Sequence, residues 1–339
     1  MSKIFIVIFA ALALGLVIYS PNIYKLYRLA NLYNEKSIAK NFININNIFS
    51  NISSSIPASE KPHIFETKDF DLPEKYSFEG EELDLKEGLS HFHTDGLIIL
   101  HDGKMLFEDY WNGNTKDSKH ISFSVAKSYL SALFGIAIDE GLIDSIDDNV
   151  TKYLEDFVGT GYEDVKIKNL LQMSSGIEFN EDYADPNSDI NKFSRASAKG
   201  QSFRDFAKSL KNGREQGTYN HYVSLDTQVL AMILESVTDM PVREYLYKRI
   251  WNTIGTESDA YYITDSTGAD MALGGLNATL RDYAKFGQLY LNRGSWLGEQ
   301  IVPQSWIDDS TTPDAPHLMP NAGDLSSNEW GYGYQWWIP

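Results

Sequence analysis

SFSVAKSYLSALFG, residues 122–135, sets Ser124 three positions before Lys127 and then runs almost wholly apolar for two helical turns. Residues at i and i+3 on a helix share a face, so the hydroxyl and the amine can meet. A serine where a helix begins stands among free backbone N–H groups, and the helix dipole there favours a developing anion. The same positive end, with burial beside Phe123, Tyr129 and Leu130, disfavours a lysine cation and pushes its pKa down. A neutral amine can take the proton that a serine must lose before it attacks a carbonyl. The plainer alternative is a helix start with Ser124 as its cap. Spacing alone does not choose, because SIAK, residues 37–40, repeats the pattern in Ser37 and Lys40.

Context separates the two pairs. GLIILHDGKMLFEDYW, residues 96–111, reads as a β-hairpin around His101-Asp102-Gly103, and the helix that begins at Ser124 is expected to stop at Gly141. Downstream, VKIKNLLQMSSG (165–176), LDTQVLAMILESVTDM (225–240) and TLRDYAKFGQLYLNRG (279–294) carry helical periodicity, with Thr279 as a cap and Pro241 opening a further helix. Strands early and helices in the middle predict an α+β fold, an antiparallel sheet flanked by helices plus a helical region. GTYNHYVSLDTQVLAMI, residues 217–233, adds Tyr222 and Ser224 in a loop before an apolar helix. A phenol near a cation can carry a proton to a leaving group; the alternatives are a core aromatic at Tyr222 and a helix cap at Ser224.

The composition narrows the field. A net charge of −18 over 339 residues argues against a nucleic-acid partner, and the lack of cysteine removes disulfides, thiolate catalysis and Cys-based zinc sites. No cofactor and no metal is expected: His91-Phe92-His93 would put two imidazoles on one face of a strand, but the spacing matches no zinc-protease helix. DSIDDN, residues 144–149, lacks the spaced glycine and closing glutamate of a calcium loop. IFIVIFAALALGLVIY, residues 4–19, follows Lys3 without a charge, so residues 1–20 read as a signal anchor or signal peptide. The expectation is an exported chain, anchored in the inner membrane facing the periplasm, or secreted if this segment is cleaved. Residues 21–65 then read as a polar tether, and 66–339 as the folded domain. Oligomeric state is not legible.

SFSVAKS, VKIKNLLQMSSG, GTYNHYVSLDTQVLA and LGGLNATLRDYAKFGQLYLNRG, in that order, resemble the penicillin-recognising serine hydrolases: class C β-lactamases, D-alanyl-D-alanine carboxypeptidases and related esterases. FNEDYADP, residues 179–186, with the Tyr-x-Ser form of the second motif, is most similar to the 6-aminohexanoate-dimer hydrolase branch. The resemblance implies Ser124 as a nucleophile that forms an acyl-enzyme, Lys127 as its base, and Tyr222 as the proton relay to the leaving group. It implies substrate contacts from Tyr183 and from Ser224, which stands where the family often has Asn. It implies a small amide or ester substrate; the alternative is a penicillin-binding protein or β-lactamase that takes peptidoglycan stems or β-lactams. An oxyanion hole would use the Ser124 N–H and one from a late strand. That strand, with the third motif, follows the point where this sequence stops at Pro339, so the expectation is a truncated chain, inactive and poorly folded unless further strands are supplied. The aromatic end Trp336-Trp337-Ile338-Pro339 either docks into the core or marks a fragment.

Overall fold

The turn at His101-Asp102-Gly103 has positive φ at its two central residues, Asp102 (50°) and Gly103 (73°), the conformation whose twist matches that of paired strands. It joins β3 (Gly96–His101) to β4 (Lys104–Tyr110) antiparallel, as the alternating sequence predicts. A computed structural model describes residues 27–339 apart from 30 and 50. Ahead of the hairpin lie a short helix α1 (Ile38–Phe42), the pair β1 (Lys75–Phe78) and β2 (Glu81–Asp84), and helix α2 (Leu85–His91). A three-stranded antiparallel sheet follows, with β5 (His120–Ile121) beside β7 (Leu276–Ala278) and β6 (Tyr261–Tyr262) on its far side. All strand pairs among the described residues are antiparallel and belong to small sheets, and with the helices they make an α+β fold.

Helix α3 (Val125–Asp139) is the axis of the helical region. Every residue from Ala126 to Ala137 is buried, so this helix is apolar nearly all round, as a core helix must be. It packs against α7 (Ser224–Thr238), which in turn packs on α4 (Ile167–Leu171) and α6 (Phe203–Ser209). Trp306 in α10 (Gln304–Ser310) lies over Gly135 so closely that a Cβ there would overlap the indole ring. Gly135 is therefore fixed by close approach, not by backbone freedom. The predicted Thr279 cap closes α9 (Leu280–Leu291), its hydroxyl accepting from the Asp282 N–H at 3.4 Å.

One expectation changes. The described part of the polar tether is not free chain: Leu32, Ile45 and Ile48 are buried against Ile121 and Ile263. Beyond them, residues 51–56 add to the open edge of β6, with Ser53 N–H donating to Tyr262 O at 2.8 Å and Ile56 N–H to Ala260 O at 2.7 Å. The composition is polar, but a few apolar residues and an unpaired strand edge suffice to dock the segment. His91 ends helix α2 and His93 sits in a turn at φ 52°, so the two do not share a strand face, and His120 faces Asp95 at 3.2 Å. The signal anchor lies outside the described residues; among those described, no helix is long and apolar enough to cross a membrane.

The aromatic end packs on the helical region. β10 (Gly331–Tyr332) pairs with β11 (Trp337–Ile338), and Gln335 at their turn is 3% exposed. Gln335 staples three helices: its amide donates to the carbonyls of Leu170 and Leu171, both at 3.0 Å, and its side-chain oxygen accepts from Thr227 at 2.6 Å. Its backbone carbonyl accepts from Ser128 at 2.9 Å, on α3 next to Lys127. A buried amide with all these partners satisfied is worth more than its individual bonds, because leaving any of them unmade is costly.

Candidate active site

Ser124 ends a sharp turn from β5 into α3. Ser122 N–H donates to Leu276 O at 2.8 Å, pinning the strand side, and Phe123 then adopts φ 44°, a left-handed conformation uncommon for a bulky residue. Such a conformation costs about 1–3 kcal/mol and persists only where packing over-determines it. Here Phe42 packs edge-on against Phe123 at 4.9 Å between ring centroids, and Tyr33 stacks on it at 6.2 Å. The turn leaves Ser124 at the helix N-cap with no capping bond from its side chain. Its hydroxyl is thus not spent on the helix, contrary to the plain cap reading. Among the described residues, the Ser124 N–H has no acceptor.

Lys127, one turn in, is 1% exposed. Its amine donates to Ser124 Oγ at 3.3 Å and to the carbonyl of Leu273. Burial strips water from the ammonium and pushes the Lys127 pKa down to about 8, although the Glu181 carboxylate pulls the other way. The Leu273-Gly274 segment comes in from β7's side and passes over the Phe123 backbone, which is how the sequence after residue 272 reaches the amine.

Tyr222 arrives from the loop before α7. That loop is tied to the turn after α4: His221 N–H donates to Met173 O at 2.8 Å and the Asn220 side chain to Gln172 O at 3.0 Å. Its ring centroid lies 5.3 Å from the Lys127 amine, close enough to favour an ammonium once the lysine accepts a proton. Burial raises the phenol's pKa well above the ordinary tyrosine range, offset in part by the Ser124 hydroxyl and reinforced by the Glu181 charge. Trp337 stacks on Tyr222 at 5.3 Å, and Tyr332 meets both rings edge-on. His221 turns the other way and bonds Phe179 O at 2.7 Å.

The remaining two sequence candidates meet through a third residue. Glu181 accepts from the Ser224 hydroxyl at 2.6 Å, from the Ser224 N–H at 3.0 Å and from the Tyr183 hydroxyl at 2.9 Å. Ser224 is 1% exposed and its hydroxyl is spent on Glu181, and the helix cap there is Val223, so neither a cap nor a free substrate contact describes Ser224. Tyr183 is exposed and stands at the rim of the cleft. Sequence reasoning passed over Glu181, although it lies inside the quoted FNEDYADP; a carboxylate two residues before a candidate tyrosine was the available signal.

The cleft itself has a volume of about 620 Å³ and opens over Ser124, with walls from Tyr33, Phe123, Phe193, Met271 and Leu273 among others. Residues 85–338 match the Beta-lactamase family. The chain belongs to that family. Among β-lactamase-family relatives, a 6-aminohexanoate-dimer hydrolase of Paenarthrobacter ureafaciens is 33% identical over 263 residues, 75% of this chain and 66% of that protein. An Escherichia coli (strain K12) protein assigned as a D-alanyl-D-alanine carboxypeptidase is 24% identical over 230 residues, covering 60% of this chain and 52% of that protein. A solved Bacillus anthracis structure, assigned as a 6-aminohexanoate-dimer hydrolase, superposes with a TM-score of 0.82 at 27% identity, over 91% of this chain and 82% of the other. The chain thus spans about two thirds of the first curated relative and about half of the second.

Proposed function

We propose that this protein is a serine hydrolase that cleaves an amide or ester bond of a small linear substrate through an acyl-serine intermediate. The likeness to a 6-aminohexanoate-dimer hydrolase at 33% identity supports a linear amide as the bond cleaved, without fixing the charge at the far end of the acyl chain. The observation that carries the chemistry is the buried Lys127 amine, 3.3 Å from Ser124 Oγ, with a pKa pushed down to about 8. At neutral pH a usable fraction of such an amine is uncharged and can act as a base.

In this reading Ser124 Oγ attacks the substrate carbonyl carbon while its proton passes to Lys127 Nζ. The Ser124 N–H donates to the oxygen as it becomes an anion, as one arm of an oxyanion hole. Collapse of the tetrahedral species breaks the bond to the leaving nitrogen or oxygen, and that atom takes a proton by way of the Tyr222 hydroxyl, replenished from Lys127. Water then attacks the acyl-serine along the reverse route, with Tyr222 and Lys127 receiving its proton and Ser124 leaving as the hydroxyl. Tyr183 at the rim contacts the substrate amide, and Ser224 acts through Glu181, which fixes the Tyr183 hydroxyl.

The test is a burst of p-nitrophenol from p-nitrophenyl esters by the full-length protein, followed by steady turnover, both abolished in Ser124→Ala. A penicillin label that stays on Ser124 for hours with no ester turnover would replace this reading with a penicillin-binding one. Export and membrane attachment through residues 1–20 rest on the apolar run alone; recovery of the native protein in the soluble cytoplasmic fraction would refute them.

A further inference from the structure

The segment that the composition marks as a tether contributes to the cleft. Tyr33 lines it together with Phe123 and Ser124, yet Tyr33 lies more than fifty residues ahead of the stretch that matches the Beta-lactamase family. Its position is built, not incidental. Leu32 beside it is 6% exposed and packs with Ile45, Ile48, Ile121 and Ile263. The buried Asn41 amide donates to the carbonyls of Asn31 and Leu32 at 3.0 and 3.1 Å, closing the turn that presents Tyr33. Tyr33 and Phe42 pack edge to face at 6.0 Å and both rest on Phe123. The Tyr33 residue is nevertheless 58% exposed, so the ring leaves apolar surface open at the mouth.

Two further facts say what that surface faces. Ser124 lines this cleft whereas Tyr222, which stands where a leaving group would be protonated, does not, an arrangement that suits the acyl part of a substrate. Among the described residues that line it, none carries a charge. The nearby Glu181 carboxylate is engaged with Ser224 and Tyr183. An anionic group on the acyl chain would lose its water there without gaining a partner, and an ammonium would find only a carboxylate already bonded to two hydroxyls.

We propose that Tyr33, backed by Phe42, is a specificity-determining wall of the acyl subsite, and that this subsite takes an uncharged, apolar acyl chain of several carbons. The inference rests on the hydrolase reading above. Each methylene placed against an apolar wall favours the longer substrate, and an aromatic face at the mouth extends that wall.

The experiment compares kcat/KM of the full-length protein for p-nitrophenyl acetate, hexanoate and 6-aminohexanoate. The parent is expected to favour hexanoate over acetate by about tenfold or more, and over the ammonium-bearing ester by at least about fivefold. Tyr33→Ala is expected to shrink the hexanoate-to-acetate ratio about fivefold, with Tyr33→Phe keeping it. An equal loss on acetate and hexanoate would mean that Tyr33 merely supports the fold, and an unchanged ratio would mean that the acyl chain lies elsewhere; either result overturns the proposal. Preference for the ammonium ester would overturn the uncharged subsite. If Ser124→Ala releases p-nitrophenol as fast as the parent, the hydrolase reading itself has failed, and this inference with it.

Discussion

Two helix starts in this chain carry the same four-residue spacing and have different surroundings. Ser37 opens the five-residue α1, where its hydroxyl donates to Asn34 O at 3.4 Å and accepts from Asn41 at 3.1 Å, and Lys40 points into solvent. Ser124 opens the fifteen-residue α3, where the hydroxyl is uncommitted to the helix and Lys127 is fully enclosed. Spacing brings an amine near a hydroxyl in both places. Only burial at the second makes the amine a base, because a solvated ammonium has no reason to give up its proton.

The comparison breaks most sharply on the nucleophile. Ser124→Ala should lower kcat/KM for p-nitrophenyl esters by about 10⁵-fold or more, to the uncatalysed rate. Lys127→Ala should cost about 10³-fold, while Lys40→Ala should stay within about twofold of the parent, and comparable losses in the two lysine variants would end the distinction between the pairs. A pH profile sharpens it further. Lys127 has its pKa lowered, so the free base is lost as pH falls through about 8 and present above it. The value of kcat/KM should therefore rise about tenfold per pH unit below that point and level off above it. A profile flat from pH 6 to 9 would remove the lysine as base.

Smaller effects probe what holds the second pair in place. Gln335→Ala unmakes side-chain bonds to Leu170, Leu171 and Thr227. It should destabilise the fold by about 2–3 kcal/mol, read as a lower chemical-denaturation midpoint. Glu181→Gln removes a negative charge that raises the Lys127 pKa. The rising limb of the pH profile should shift to lower pH, with a loss in rate of only a few fold; a shift to higher pH would contradict the charge's assigned effect.

The sequence by itself determined the α+β class, the β3–β4 hairpin, helix α3 and its start at Ser124. These follow from periodicity and turn chemistry, which act over a few residues and leave a local record. It also named Ser124, Lys127 and Tyr222, through ordered motifs. It could not show that Gln335 would staple α3, α4 and α7, that Glu181 would engage the Ser224 hydroxyl, or that Tyr33 would reach the cleft from a segment of tether-like composition. Those three are contacts between residues far apart along the chain or dependent on how loops are set against helices. Their partners are chosen by the packing of the whole core, and a buried polar group is recognised only once its surroundings have excluded water.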